Sequence, residues 1–181
     1  MKRFDYPTIA IIVLVAALAA WWIVRRTGGP QVDLLGRFEQ ASKTPGDSAF
    51  VLEVRALNGE ALRAIVAPPE GRIAWNVRVP EHGWLRVSIG TSPESWNNAG
   101  DGVYFSGGVA TDEGVRTLFS QQVNAKDVSA QRRWIPVMVD LAPYAGEDVQ
   151  IVLETHPSPP DRPADDRSDK PLWGAPEIVT R

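Results

Sequence analysis

His82 and His156 are the two histidines of a 181-residue chain that has no cysteine, so general-base catalysis or an imidazole metal site would run through one of them. A Ser-His-Asp system needs that base within hydrogen-bond reach of an activated nucleophile, and no Gly-x-Ser-x-Gly elbow is present to supply one. His82 lies in the turn Pro80-Glu81-His82-Gly83 and His156 directly precedes Pro157; both read as surface histidines. No His-x-x-x-His spacing supports zinc, and the missing cysteines remove disulfides and thiolate sites.

Calcium asks for hard oxygen ligands, which HPSPPDRPADDRSDKP (156–171) offers in Asp161, Asp165, Asp166 and Asp169. Arg162, Arg167 and Lys170 neutralise most of that charge, and the alternating acids and central glycine of an EF-hand are missing, so the stretch reads as a Pro/Asp-rich loop. Sugar recognition uses aromatic rings beside polar groups. Trp96 in TSPESWNNAGDG (91–102) has Asn97, Asn98 and Asp101 for company, and Trp84 alternates away from Leu85, Val87 and Ile89. Trp96, Asn97, Asn98 and Trp84 are therefore the candidate ligand or partner contacts. Capping the end of a sandwich is the competing use of such a tryptophan.

The elements that carry these residues fall into two parts. Thr8–Val24 (TIAIIVLVAALAAWWIV) is uncharged, with Lys2 and Arg3 before it and Arg25 and Arg26 after it; at ~1.5 Å per residue it covers roughly 26 Å of a ~30 Å hydrocarbon core. Trp21, Trp22, Arg25 and Arg26 suit the interface at its end. A signal peptide cleaved at Ala17-Leu18-Ala19 is the competing reading, against which the apolar run continues to a basic stop. Counting Lys and Arg on the two sides leans towards a cytoplasmic domain, although a signal anchor that exports its C-terminal part has the same appearance.

Net charge is −3 overall, and four of the 19 basic residues but only Asp5 of the 22 acidic ones lie in residues 1–26. The remaining domain is acidic, a poor partner for nucleic acid. Residues 27–47 read as a linker, with Leu34, Phe38 and Ala41 spaced for a short juxtamembrane helix that Gly36 weakens. From Ala49 the period becomes two. In RIAWNVRV, Ile73, Trp75, Val77 and Val79 oppose Arg72, Ala74, Asn76 and Arg78, which predicts a strand with one wet face. Further strands are expected over 50–55, 61–67, 84–89, 102–110, 115–123, 134–141, 149–155 and 173–179, with Trp75, Trp134 and Trp173 mostly in the core. Gly- and Pro-rich turns separate them. Such a series makes an antiparallel two-sheet sandwich.

The combination of Trp134, VDLAPYAGEDVQIVLET (139–155) and Trp173-Gly174-Ala175-Pro176 looks like the C-terminal half of galactose-binding-domain-like jelly rolls. Gly100-Asp101-Gly102-Val103-Tyr104-Phe105 resembles a strand entry of the same family, and DLLGRFEQA (33–41) is similar to the lead-in of its membrane-linked members. The resemblance implies an all-β jelly-roll sandwich over 48–181, after an N-terminal transmembrane helix within 1–26 and the linker 27–47. It also implies an exported, periplasmic domain on a single-pass anchor in a bacterial inner membrane. Jelly rolls of this type often carry a structural calcium, whose ligands do not map onto this chain; otherwise no cofactor is expected. The expected function is non-enzymatic: an accessory subunit of a larger membrane complex, touching the bilayer and other subunits. A membrane-tethered carbohydrate-binding module is the alternative. In either case Tyr144 is expected to pack across the Pro-Tyr-Ala-Gly turn, with Gly146 permitting its backbone angles.

Overall fold

The structure, a computed structural model, describes residues 32–98, 100–159, 162–163, 165–167 and 170–180. Thr8–Val24 and its flanking Trp21, Trp22, Arg25 and Arg26 lie outside the described residues, as do Asp161 and Asp169 of the Asp-rich loop. Among the described residues no helix is long and apolar enough to cross a membrane.

Eleven strands are described: β1 (Val32–Asp33), β2 (Ser42–Thr44), β3 (Val51–Leu57), β4 (Glu60–Val66), β5 (Gly71–Arg78), β6 (Gly83–Thr91), β7 (Val103–Thr111), β8 (Gly114–Val123), β9 (Ile135–Asp140), β10 (Asp148–His156) and β11 (Pro171–Thr180). They form two antiparallel sheets. One has the order β3-β4-β11-β6-β9, with β1 paired to β11; the other runs β2-β5-β10-β7-β8. The period-two pattern decides which side chains face inward. Ile73, Trp75 and Val77 of β5 and Ile151 and Leu153 of β10 enter the core between the sheets, because a strand sends alternate side chains to opposite faces. Phe105 and Trp173 meet edge to face in that core, with centroids 4.9 Å apart and planes at 88°.

A second, smaller core lies on the other side of the first sheet. Leu57, Ala64, Trp134 and Leu172 are buried there, with Leu62, Val66 and Trp96 packed against them. The indole N–H of Trp134 donates to the Glu60 carbonyl at 3.0 Å. That of Trp75, in the main core, is buried with no hydrogen-bond partner.

Residues 34–41 correct the sequence expectation of a helix. The amide of Gly36 donates to the Asp33 carboxylate at 2.9 Å, the Arg37 and Phe38 amides bond to carbonyls three residues back, and only Phe38–Gln40 forms a 3₁₀ turn. A side chain that caps its own turn competes with the helical bond pattern. The apolar spacing was nonetheless meaningful, for Leu34, Leu35, Phe38 and Ala41 are all buried in the main core. The stretch expected as a linker thus contributes β1 and β2 to the two sheets.

The joint between β9 and β10 passes from one sheet to the other. Asp140 accepts the Ala142 amide at 2.8 Å. The Gly146 amide donates to the Val79 carbonyl at 2.9 Å, and the Val79 amide to Glu147 at 3.0 Å. Gly146 sits at φ 78, where a side chain is disfavoured, and Tyr144 is buried beneath the turn.

Candidate functional site

Strands β5, β10, β7 and β8 share a face that points away from the core, and their register sets its composition. One row across the sheet reads Arg72, Glu154, Ser106, Ser120; the next reads Ala74, Val152, Gly108, Thr117; the third reads Asn76, Gln150, Ala110, Val115. The middle row is made of small residues. Val152 is 1% exposed and Ala74 2% although both face outward, so neighbouring side chains close over this row.

Those flanking side chains are paired with one another. Arg72 Nη1 lies 3.1 Å from Glu154 Oε1 and Arg78 Nη1 lies 3.0 Å from Asp148 Oδ2. Gln150 Nε2 donates to Asn76 Oδ1 at 3.3 Å. Each pair links β5 to β10 and leaves further lone pairs and N–H groups for a ligand.

Two hollows occupy the ends of this face. One, of ≈ 380 Å³, is lined by Tyr104, Ser106, Thr117, Ser120, Glu154, His156 and Ser158. The other is a broad cleft of ≈ 1110 Å³ whose walls include Asn76, Arg78, Ala110, Val115, Asp148 and Gln150. In the smaller hollow the Tyr104 and His156 rings stand 6.4 Å apart at 47°. An aromatic ring with a polar tip, set among hydroxyls, suits a ligand that is apolar on one face and hydroxylated at its rim.

The hollow's margin is tied to the Asp-rich loop. Ser158 Oγ donates to Asp101 Oδ2 at 3.3 Å and accepts the Asp165 amide at 3.1 Å. Arg167 grips Asp165 through two contacts of 2.7 Å, and that hydrogen bonding pulls the half-buried Asp165 carboxyl down to about 2. Among the described residues no group of three or more His, Asp or Glu is placed to hold a metal ion.

The tryptophans that the sequence put forward lie elsewhere. Trp96 follows the 3₁₀ turn Pro93–Ser95; its indole N–H donates to the Thr91 carbonyl at 2.9 Å, and its ring packs on the second core. The Arg132 guanidinium sits 5.8 Å from the ring centroid and bonds to the Trp96 carbonyl at 3.3 Å. Its ring is thus engaged by the protein, which fits a cap over the outer cluster. Exposed Asn97 receives Arg132 at 3.5 Å, and exposed Asn98 donates to the Glu94 carbonyl at 2.5 Å. In the same turn the Ser92 hydroxyl, the Glu94 amide and, more weakly, Arg55 lower the Glu94 carboxyl below its ordinary value. Trp84 is half-buried on the outer face of the other sheet, opposite Asp140 and Val179. The structure therefore groups Trp96, Asn97 and Asn98 in one loop and places Trp84 apart from them.

His82 is exposed in its turn, at φ 57. Among the described residues no hydrogen bond joins either histidine to a Ser or Thr hydroxyl, so no nucleophile–base pair is assembled there. Tyr104, Ser106, Gln150 and Glu154 were not singled out from the sequence. The available signal was the alternation of Gln150, Val152, Glu154 and His156 against the core positions of β10, matched by Arg72, Ala74 and Asn76 of β5.

No protein-family model matches the chain. An uncharacterized protein of Archaeoglobus fulgidus is 38% identical over 134 residues, an overlap covering 73% of this chain and 31% of that protein. The chain thus spans about a third of the relative's length. Among solved structures, a family 61 carbohydrate-binding module in complex with β-1,4-galactotriose superposes with a TM-score of 0.51 at 11% identity, covering 81% of this chain and 92% of that one. A family 51 module from Clostridium perfringens in complex with methyl-galactose gives a TM-score of 0.47 at 14% identity, over 77% and 87% of the two chains. A Clostridium thermocellum xylanase segment with a family 22 module, complexed with xylohexaose, gives 0.46 at 10% identity, over 83% and 27%. The fold is the galactose-binding-like jelly-roll sandwich.

Proposed function

We propose that this jelly roll is a non-catalytic carbohydrate-binding module whose ligand lies on the outer face of the β2-β5-β10-β7-β8 sheet. The observation that carries the reading is the hollow beside Tyr104, where Ser106, Thr117, Ser120, Glu154 and His156 converge on one space. Hydroxyls both donate to and accept from sugar hydroxyl groups, the Glu154 carboxylate accepts from them, and the phenol ring supplies an apolar platform. The fold shared with a galactotriose-binding module supports the class of ligand. Within this reading Trp96, Asn97 and Asn98 close the end of the sandwich, Trp84 belongs to the opposite sheet, and residues 8–24 tether the module to a bilayer with the Tyr104 hollow on the extracytoplasmic side. The subunit role expected from the sequence drew on a lone anchor, a sandwich along the chain and the lack of a catalytic set, whereas the hollow beside Tyr104 gives the sheet a use of its own.

A glycan array probed with the full chain in mild detergent tests the reading. Wild type is expected to retain at least one glycan class and Tyr104→Ala to lose it while keeping its melting temperature. An array with no retained glycan removes the proposal.

A further inference from the structure

We propose that the free edge of β3 is a docking site for β3 of a second copy of this chain, the two strands pairing antiparallel about a twofold axis at Val54. Among the described residues β3 pairs with β4 alone, so one side of its backbone has no strand beside it. The other edges of the two sheets are blunted. β9 carries Pro136, which has no N–H to offer, β8 is interrupted by a register shift opposite Gly107 and Gly108, and β1 and β2 are two and three residues long. Prolines, bulges and short lengths are the devices that keep sheet edges from pairing. β3 runs seven residues with none of them, in unbroken register with β4.

The turn after β3 fixes which of its backbone groups reach outward. Asn58 and Gly59, at φ 49 and 84, make a two-residue hairpin in which Leu57 and Glu60 are the first hydrogen-bonded pair. Bonded and non-bonded positions alternate along an antiparallel strand. Leu57, Arg55, Glu53 and Val51 therefore turn their N–H and C=O groups towards β4, and Ala56, Val54 and Leu52 turn theirs to the free edge. A second β3 meets these three residues with the same three of its own, which limits the registers. Centred on Glu53 or on Arg55, the pairing sets like charges directly opposite each other, which is unfavourable. Centred on Val54, it sets Glu53 against Arg55 of the second copy and makes about six backbone hydrogen bonds.

Side chains favour that register as well. Arg55 already holds Glu53 of its own strand at 2.7 Å and reaches Glu94 at 3.3 Å. Pairing about Val54 gives two glutamates and two arginines that alternate in sign, and no carboxylate has to give up its arginine. Val54 is 66% exposed and Val51 51%, two of the four exposed large apolar side chains among the described residues. Val54 would be covered by its own counterpart, as a β-branched cross-strand pair. The lining of the Tyr104 hollow comes from the other sheet and the loop after it, so the contact is separate from the proposed ligand site.

The experiment is light scattering of the full chain in mild detergent across a concentration series, reading the protein mass per particle. Wild type is expected to be a dimer that dissociates on dilution. Val54→Lys sets two ammonium groups against each other and is expected to weaken association at least about tenfold with an unchanged melting temperature. Val115→Lys, at an exposed position on β8, is expected to associate as wild type does. Glu53→Arg and Arg55→Glu are each expected to weaken the dimer about tenfold alone, and their equimolar mixture to recover it, because one strand then presents two arginines to two glutamates. A wild type that stays monomeric throughout overturns the inference. A dimer that Val54→Lys leaves intact, or that Val115→Lys weakens equally, places the contact elsewhere and overturns it too. A mixture that fails to re-form the dimer refutes the register on which the inference rests. The charge-exchange pair keeps the test open if Val54→Lys does not fold.

Discussion

Trp75 and Trp134 are a matched pair for measuring what an indole N–H contributes. Both are essentially buried, 1% and 3% exposed, so replacing either ring with phenylalanine removes a similar volume and a similar apolar area. The difference lies in the nitrogen. Trp134→Phe removes a hydrogen bond of 3.0 Å to the Glu60 carbonyl, a net loss of about 1 kcal/mol. Trp75→Phe removes an N–H that is buried without a partner and so relieves a desolvation penalty of about 1–3 kcal/mol. The two effects act in opposite directions, so Trp134→Phe is expected to be the more destabilising by about 2–4 kcal/mol. Equilibrium urea unfolding followed by far-ultraviolet circular dichroism measures this directly, with the slope of the transition unchanged in both variants. Equal losses, or a larger loss at Trp75, would refute the account of how the two cores satisfy their polar atoms.

Three further outcomes are expected. Gly107→Ala would bring a Cβ within 2.3 Å of the Phe119 ring and 3.1 Å of Leu153, so overpacking is expected to cost about 1–3 kcal/mol in thermal or urea unfolding. Gly146→Ala meets no neighbouring atom and tests φ alone: at φ 78 a cost of about 1 kcal/mol is expected, and an unchanged melting temperature would show the turn relaxes freely. Asp165, depressed by Arg167 to about 2, stabilises the folded loop fully above its ordinary value of 3.8, and that contribution disappears as pH falls through about 2. Arg167→Gln should return its titration, followed by carboxyl carbon NMR, towards the ordinary value of 3.8.

The strands from β3 onward were legible from apolar residues recurring at a period of two, although burial itself alternates cleanly in few of them, as β6 does and β4, β8 and β11 do not. RIAWNVRV is the clearest of them, and its Trp75 is in the core as its pattern requires. β1 and β2 were not legible, for two and three residues are too short to show a period. There the burial of Leu34, Phe38 and Ala41 could be read, but not the backbone that achieves it: a bond from Gly36 to Asp33 is a local choice that apolar spacing does not encode. Trp96 attracted a binding role because its neighbours are polar, whereas its partners, the Thr91 carbonyl and Arg132, come from tertiary approach. The hollow beside Tyr104 was hidden for a related reason. Arg72, Asn76, Gln150 and Glu154 each announce a wet face, but which wet faces combine is fixed by pairing β5 to β10 and β10 to β7.

The central claim is the location of the ligand, and amide NMR shifts of the isotope-labelled full chain during titration with a bound oligosaccharide test it most directly. The account predicts shifts concentrated at Tyr104, Ser106, Gln150, Glu154 and His156, with little change at Trp96 to Asn98. Shifts centred on the Trp96 loop or on Trp84, with the β10 amides unmoved, would contradict it.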